Sequence, residues 1–317
     1  PDMRITFYNA GHIMGSAMVH LHIGNGLHNL LYSADIKYGR SHLLEPAVTS
    51  FPRLEPLIIE STYGGRDNVM SEQQADEYMA NVIIETVKRG GKVLVPVLGS
   101  GRAQEIIVMV EDLFQSKKID PVKVYADGLL WDITAIHTAY PEYLNRNMRQ
   151  LIFHENKNPF LSETFQRVVS QKERKQIIEE QGPCVILATS GMLYGGPSVE
   201  YLKGLAEDKR HSLVFSCYQP PSSLGRRILS GEKEIMFSDA GKNHMLHINL
   251  EVHRVEISGH SDRNQLMNFI KRCTPMPKKV IVNHGESSRC LDLASSIHHA
   301  FNIETVAPKN LEAIRIR

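Results

Sequence analysis

The chain has 317 residues, with 36 Lys and Arg against 35 Asp and Glu, so its net charge of +1 gives no bulk attraction for nucleic acid and any such footprint must come from local Arg and Lys placement. At 42% hydrophobic and 22% charged it has the composition of an ordinary globular protein, long enough for two domains or for one with a large insertion. No apolar run approaches the ~20 residues of a membrane span, and no opening stretch reads as a signal peptide, so the expected location is cytoplasmic.

Residues 1–60 read as short strands: MRITFYNA, AMVHLHIG, HNLLYSAD and PLIIE, with GNG as a hairpin signal between the second and third. Ser71 and Gln74 then form a capping box for a helix that runs to Lys88 and stops at Gly90-Gly91. KVLVPVL is apolar and β-branched, as suits a buried parallel strand, and GRAQEIIVMVEDLFQSK reads as the next helix. VKVYADG, CVILAT and SLVFSCY are further strands, with the helix PSVEYLKGLAED between the last two. This alternation predicts a β-α-β layer with a parallel sheet. From about residue 245 shorter strands return in HMLHINLEVHRVEISGH, and RNQLMNFIKRC, KKVIVNHGE, SRCLDLASSIHHAF and ETVAPK close the chain as helix, strand, helix and strand. Cys184, Cys217, Cys273 and Cys290 lack C-x-x-C spacing, which predicts buried thiols in a reducing compartment. Fifteen histidines are the one unusual feature of the composition, and the start at Pro1, without Met, predicts a fragment of something longer.

Several polar residues sit just past apolar runs, where α/β proteins place functional groups. They are His12 in NAGHIMGS, Asp35 in YSADIK, Glu60 in PLIIEST, His260 in ISGHSDR and His284 in VIVNHGES. Each has a plain structural alternative: a turn or cap aspartate, a hydrogen-bonded core histidine, a carboxylate wanting a partner. Together, three histidines and two carboxylates at strand ends point to a metal-dependent hydrolase.

These motifs resemble the later part of the metallo-β-lactamase-fold nucleases that contain a β-CASP domain, of the archaeal cleavage and polyadenylation specificity factor type. His12 and Asp35 resemble that family's third and fourth metal motifs, and Glu60, His260 and His284 its motifs A, B and C. PVLGSGRAQE, AIHTAYPEYL, LATSGMLYGGPS and NLEAIRIR agree as well, so the likeness runs over essentially the whole chain. The implied fold is α/β: a partial metallo-β-lactamase αββα sandwich at 1–61 and 255–317, with an inserted β-CASP domain, a parallel sheet flanked by helices, at 62–254. The family's H-x-H-x-D-H motif does not occur in this sequence. His20 and His22 in HLHIG mimic its first half but follow His12, and they are expected to be exposed strand positions. The incomplete sandwich is expected to expose an apolar face and strand edges, so that either a second segment supplies the missing metal ligands or this chain is packed differently from the family.

The resemblance implies a ribonuclease with two zinc ions, acting on single-stranded RNA in 3′-end processing or decay, as an endonuclease or a 5′-to-3′ exonuclease. Asp35 is implied as the bridging carboxylate, with His12 on one zinc and His284 on the other. His260 is implied as the proton donor, oriented by Glu60. Ser190 and Gly191 suit a phosphate oxygen, although a strand-to-helix turn is the plain alternative. Arg226 and Arg227 suit phosphate contacts, but Ser222-Ser223 replaces the family's Gly-Thr before them. Arg102 is a further RNA contact unless it pairs with Glu105. The C-terminal segment is implied in a homodimer contact, or is simply an edge strand. The rival readings are a non-catalytic RNA-binding or scaffold chain, half of a split enzyme, and a small-molecule hydrolase of the same fold.

Overall fold

The computed structural model describes residues 2–65, 70–239, 242–255 and 257–316, and it divides into two compact units, residues 1–69 with 259–317 and residues 70–258. The first unit opens with strands β1 (Met3–Asn9), β2 (Ala17–Ile23) and β3 (His28–Tyr32), paired antiparallel in sequence order. Gly24, Asn25 and Gly26 all take positive φ between β2 and β3, the conformation for which that tripeptide is suited. Strand β4 (Pro56–Glu60) lies parallel to β3.

The second unit follows as α1 (Glu72–Lys88), β5 (Lys92–Pro96), α2 (Arg102–Gln115), β6 (Val124–Asp127), α3 (Leu130–Ala139), α4 (Arg146–Phe153), β7 (Phe165–Val168) and α5 (Gln171–Glu179). It continues through β8 (Cys184–Ala188), α6 (Pro197–Leu205), β9 (Ser212–Phe215), α7 (Leu224–Leu229), β10 (Glu234–Asp239), β11 (Lys242–His247) and β12 (Glu251–Arg254). The chain returns to the first unit as α8 (Arg263–Arg272), β13 (Lys279–Asn283), α9 (Ser287–Phe301) and β14 (Glu304–Val306).

In the second unit the described strands β12-β9-β5-β8-β6-β7 pair in that order, every pair parallel, and β10 and β11 form a separate hairpin. β5 and β8 are wholly buried apolar strands apart from Lys92, as the sequence indicates. Lys92 turns its ammonium to the carbonyls of Ile177, Ile178 and Glu180, so a buried cation closes the C-terminal end of α5. The capping box of Ser71 and Gln74 is present on α1, and all four cysteines are free thiols. The stretch holding α3, α4, β7 and α5 carried no sequence expectation of an element. Its helices hide little and are short: α4 buries only Met148 over eight residues and α5 only Ile177 over nine, fewer than the window over which periodicity is read.

The first unit's described sheet has the order β1-β2-β3-β4-β13-β14, with β4, β13 and β14 parallel. Helices α8 and α9 cover one face, where Met18, Leu31, Leu57, Ile59, Val280 and Val282 pack with Leu266, Phe269, Leu293 and Ile297. Alternation places Met3, Ile5 and Phe7 on the opposite face, in register with Ile23, Leu21 and Val19 and next to Tyr32. No described element of this unit covers that face near β1, and Phe7 is 69% exposed. The expected open face therefore exists.

The expectation for His20 and His22 is corrected. His20 is buried, its Nε2 lying 2.7 Å from the Arg53 carbonyl, and His22 is half-buried with its Nδ1 2.6 Å from Asn29 Oδ1. The Arg53 loop covers one imidazole, and Asn29 on the paired strand β3 meets the other. In the closing segment, residues 312–316 form no strand, and Arg317 lies outside the described residues.

Because the open face is in water, replacing Ile5 and Phe7 together by Lys is expected to cost no more than about 0.5 kcal/mol per site. The same change is expected to lower apolar-dye binding and light-scattering self-association of the chain. A large fall in the unfolding midpoint would contradict this.

Candidate metal and catalytic centre

Strands β1, β3, β4 and β13 all run in one direction, so the turns that follow them gather at one edge of the first unit's sheet. His12 lies in the turn after β1, Asp35 after β3, Glu60 at the end of β4 and His284 directly after β13. His260 sits in the turn that enters α8. That turn is locked to the Asp35 turn by Ser261, which is fully buried: its N–H donates to the Ile36 carbonyl at 2.8 Å and its hydroxyl accepts from Tyr38 N at 2.7 Å.

The His12 turn is shaped by its neighbours. Gly11 has φ +71°, and a Cβ there would lie 2.6 Å from the Lys37 carbonyl, so only glycine fits. The Ser16 hydroxyl accepts from the N–H groups of His12 and Ile13 at 3.1 and 3.2 Å. The imidazole donates from Nδ1 to the Gly259 carbonyl at 2.8 Å, which assigns the tautomer and turns Nε2 towards Asp35 at 4.0 Å.

Asp35 is the centre of the group. Its Oδ2 faces His12 Nε2, while its Oδ1 lies 3.3 Å from His284 Nε2. A carboxylate with a different imidazole at each oxygen can serve two cations at once. Ala34 and His284, which set the two sides of this pair, both take left-handed φ of +49°, a conformation costly for residues with a Cβ. His12, Asp35 and His260 each place one ligand atom within 4.8 Å of the others. Imidazole nitrogen with carboxylate oxygen is a donor set that suits zinc, and the carbonyl behind His12 is the usual support for a ligating imidazole.

Glu60 is buried, and both its oxygens lie 2.8 Å from His260 Nδ1. Oε1 also accepts from Ile36 N at 2.8 Å, and Oε2 accepts from the Thr62 hydroxyl at 2.5 Å. Burial pushes the Glu60 carboxyl up, but the hydrogen bond and charge of His260, the Thr62 hydroxyl and the Ile36 N–H outweigh it and hold it below its ordinary value. His260 thus has one nitrogen fixed by an anion. Its ring is packed at 4.6 Å from the His12 ring and 6.2 Å from that of Tyr63.

The RNA-contact residues expected from the sequence lie in the second unit, at the C-terminal edge of its parallel sheet. Ser190 and Gly191 form the turn after β8, whose Ser190 hydroxyl accepts from Tyr194 N at 3.1 Å. Gly191 is tightly enclosed: a Cβ would come within 2.9 Å of Leu98 N and Cys217 Sγ. Its carbonyl accepts from Gln219 Nε2 at 2.8 Å. Ser223, one of the residues that departs from the family pattern, is the buried N-cap of α7, its hydroxyl accepting from Arg226 N at 3.1 Å. The three arginines differ. Arg227 is paired with Glu232, and Arg102 is buried with Nη2 3.9 Å from Glu105, its plain alternative. Arg226 is half-buried and its guanidinium has no carboxylate partner among the described residues.

Sequence reasoning missed Ser16, Gly259, Ser261 and Thr62, the residues that hold the His12 ring and turn, the Glu60 carboxylate and the His260 turn in place. The signal was slight: a hydroxyl or glycine one to four residues from each histidine or carboxylate, which is common in any turn.

Comparison with known proteins bears on both units. Residues 103–228 match the Beta-Casp domain, and residues 245–308, which include His260 and His284, match the Zn-dependent metallo-hydrolase RNA specificity domain. The chain is 54% identical to the transcription termination factor FttA of Methanocaldococcus jannaschii, over all of this chain and 50% of that protein. It is 52% identical to FttA of Pyrococcus abyssi and 50% to FttA of Thermococcus kodakarensis, in each case over all of this chain and 49% of the relative. The chain therefore spans about half the length of the curated relatives it matches.

A carboxylate held below its ordinary value of 4.5 stabilises the fold fully above that pH and less as pH falls through the folded-state pKa. Glu60→Gln is therefore expected to lower stability at pH 7, and the gap from the parent is expected to shrink steadily below pH 4.5, as urea titrations at several pH values would read. A gap independent of pH would mean that Glu60 contributes no charge-linked stability.

Proposed function

The chain belongs to the β-CASP family, and on that premise we propose that it is the later half of a zinc-dependent ribonuclease that hydrolyses phosphodiester bonds of single-stranded RNA. The reading rests above all on Asp35, which directs one oxygen to His12 and the other to His284 beside the Glu60–His260 pair. Domain limits of 62–254 for the β-CASP insert and 1–61 with 255–317 for the metallo-β-lactamase part belong to the same reading.

In this proposal His12 and Asp35 hold one zinc, and Asp35 and His284 hold the other. When bound, the two ions supply positive charge at the phosphate and acidify water, giving a nucleophile near neutral pH. His260 gives a proton to the leaving oxygen, and Glu60 holds the ring and stabilises its imidazolium form. Ser190, Gly191 and Arg226 grip the phosphate chain, with Arg102 and Arg227 reaching it only by leaving their carboxylate partners.

Two donors for each ion fall short of the four that zinc usually takes. We assign the remainder to the part of the longer protein that this chain does not span, seated on the open face of Met3, Ile5 and Phe7. Taken alone, the chain is then an RNA-binding half-site. The whole protein, like the relatives' name, would act at transcription termination, with 3′-end processing or decay by internal cleavage or 5′-to-3′ trimming. A homodimer contact through residues 310–317 completes the reading.

In the full-length protein, elemental analysis is expected to find two zinc ions per chain, as two-metal chemistry requires, and none in Asp35→Asn. His260→Ala is expected to keep the metal and lose cleavage of a single-stranded RNA by about 100- to 10,000-fold. Loss of zinc from His260→Ala would overturn its role as proton donor.

Arg226→Ala is expected to weaken RNA binding alike for all sequences and to lower the slope of log affinity against log salt by about one. An unchanged slope would remove Arg226 from the phosphate path.

A further inference from the structure

The turn at Ser190 and Gly191 lies where the second unit's sheet reverses its winding. From β5 the chain passes to β6 on one side of β8, and from β8 it passes to β9 on the far side of β5. Loops after two such strands diverge, and the crevice between them is the usual ligand position in a parallel sheet. Here the loop after β5 carries Leu98, the loop after β8 carries Tyr194, and the loop after β9 carries Tyr218. All three side chains stand in water, Tyr194 at 63% and Tyr218 at 46% exposure. Exposed apolar residues scattered singly need no explanation. The three loops that carry them meet at Gly191.

The two tyrosines are held by their backbones rather than by their rings. Tyr194 N–H donates to Ser190 Oγ at 3.1 Å. Tyr218 sits between Cys217 and Gln219, whose side chains donate to the Gly191 carbonyl at 3.3 and 2.8 Å. Gln219 in turn packs against Gly225, next to Arg226, where a Cβ would collide with its amide. Neither tyrosine ring stacks on another ring, and neither hydroxyl has a partner, among the described residues. Two exposed aromatic side chains thus stand on the loops after β8 and β9, which are joined at Gly191, and Arg226, whose guanidinium has no carboxylate partner among the described residues, follows on α7. Single-stranded nucleic acid is bound by this combination: a cation and turn for the phosphate, π-faces for unstacked bases. A duplex keeps its bases stacked internally and could not use it.

Resting on the RNA reading above, we propose that Tyr194 and Tyr218 are base-stacking residues that hold the nucleotides flanking a phosphate bound at Ser190 and Gly191. They confine the substrate to single strands without reading sequence.

The test is binding of the 317-residue chain to a labelled single-stranded RNA decamer and to an abasic ribose-phosphate oligomer of the same length. Tyr194→Ala and Tyr218→Ala are each expected to weaken the RNA about 5- to 150-fold and to leave the abasic oligomer unaffected. The Phe variants are expected to bind RNA like the parent. Ala variants that bind RNA normally, or that lose both oligomers equally, would overturn the stacking role. A parent chain that binds both oligomers equally, with Arg226→Ala weakening both, would overturn stacking while leaving the RNA reading intact. A parent that binds neither would overturn both. Far-UV circular dichroism of each variant checks that these exposed changes leave the fold in place.

Discussion

One buried carboxylate holds the first unit's edge together. Glu60 accepts from the backbone of the Asp35 turn through Ile36, from the turn after β4 through Thr62, and from the α8 turn through His260. An unpartnered anion at this depth would cost several kcal/mol, so the three donors are obligatory, and each carries a loop with it. Ser261 repeats the device on the neighbouring side, joining His260's turn to Ile36 and Tyr38. The positions of Asp35 and His260 are thus set by hydrogen bonds from below, before any ligand is considered.

The elements of this fold were legible wherever burial is one-sided or complete. β5 and β8 read as buried strands because their apolar runs are continuous, and α1 because its cap and its terminating glycines are both local signals. The reading stopped at α4 and α5, which bury one side chain each and are too short, at eight and nine residues, for periodicity to stand out. The five site residues stood out because each follows an apolar run, a property of one segment. Their partners did not stand out, because what Thr62 or Gly259 touches depends on residues far away in the chain. The same blindness explains His20 and His22: alternation on β2 predicted a shared face, but not that Arg53 and Asn29 would come to meet them.

The two units solve different problems. The second is closed: its sheet is parallel and buried on both faces, and the hydroxyls and amides at its C-terminal edge are presented by loops that glycines allow to approach closely. The first has helices on one face of its sheet and, near β1, water on the other. The apolar ladder from Met3 to Phe7, Val19 to Ile23 and Tyr32 has the alternation of an interior surface rather than of a solvated one.

The spacing of the centre along the chain has a consequence for synthesis. Glu60 meets a histidine 200 positions later, and His12 meets a carbonyl 247 positions later. Closing spans of this length is slow and comes after local structure. While the ribosome is still making the second unit, Glu60 is an anion without its imidazole, and the early strands have no parallel partner in β13. A nascent chain at that stage has neither the Glu60–His260 pair nor the His12–Gly259 contact. The Glu60–His260 pair therefore forms only after translation has passed residue 260, which makes this edge of the sheet one of the last parts of the fold to close.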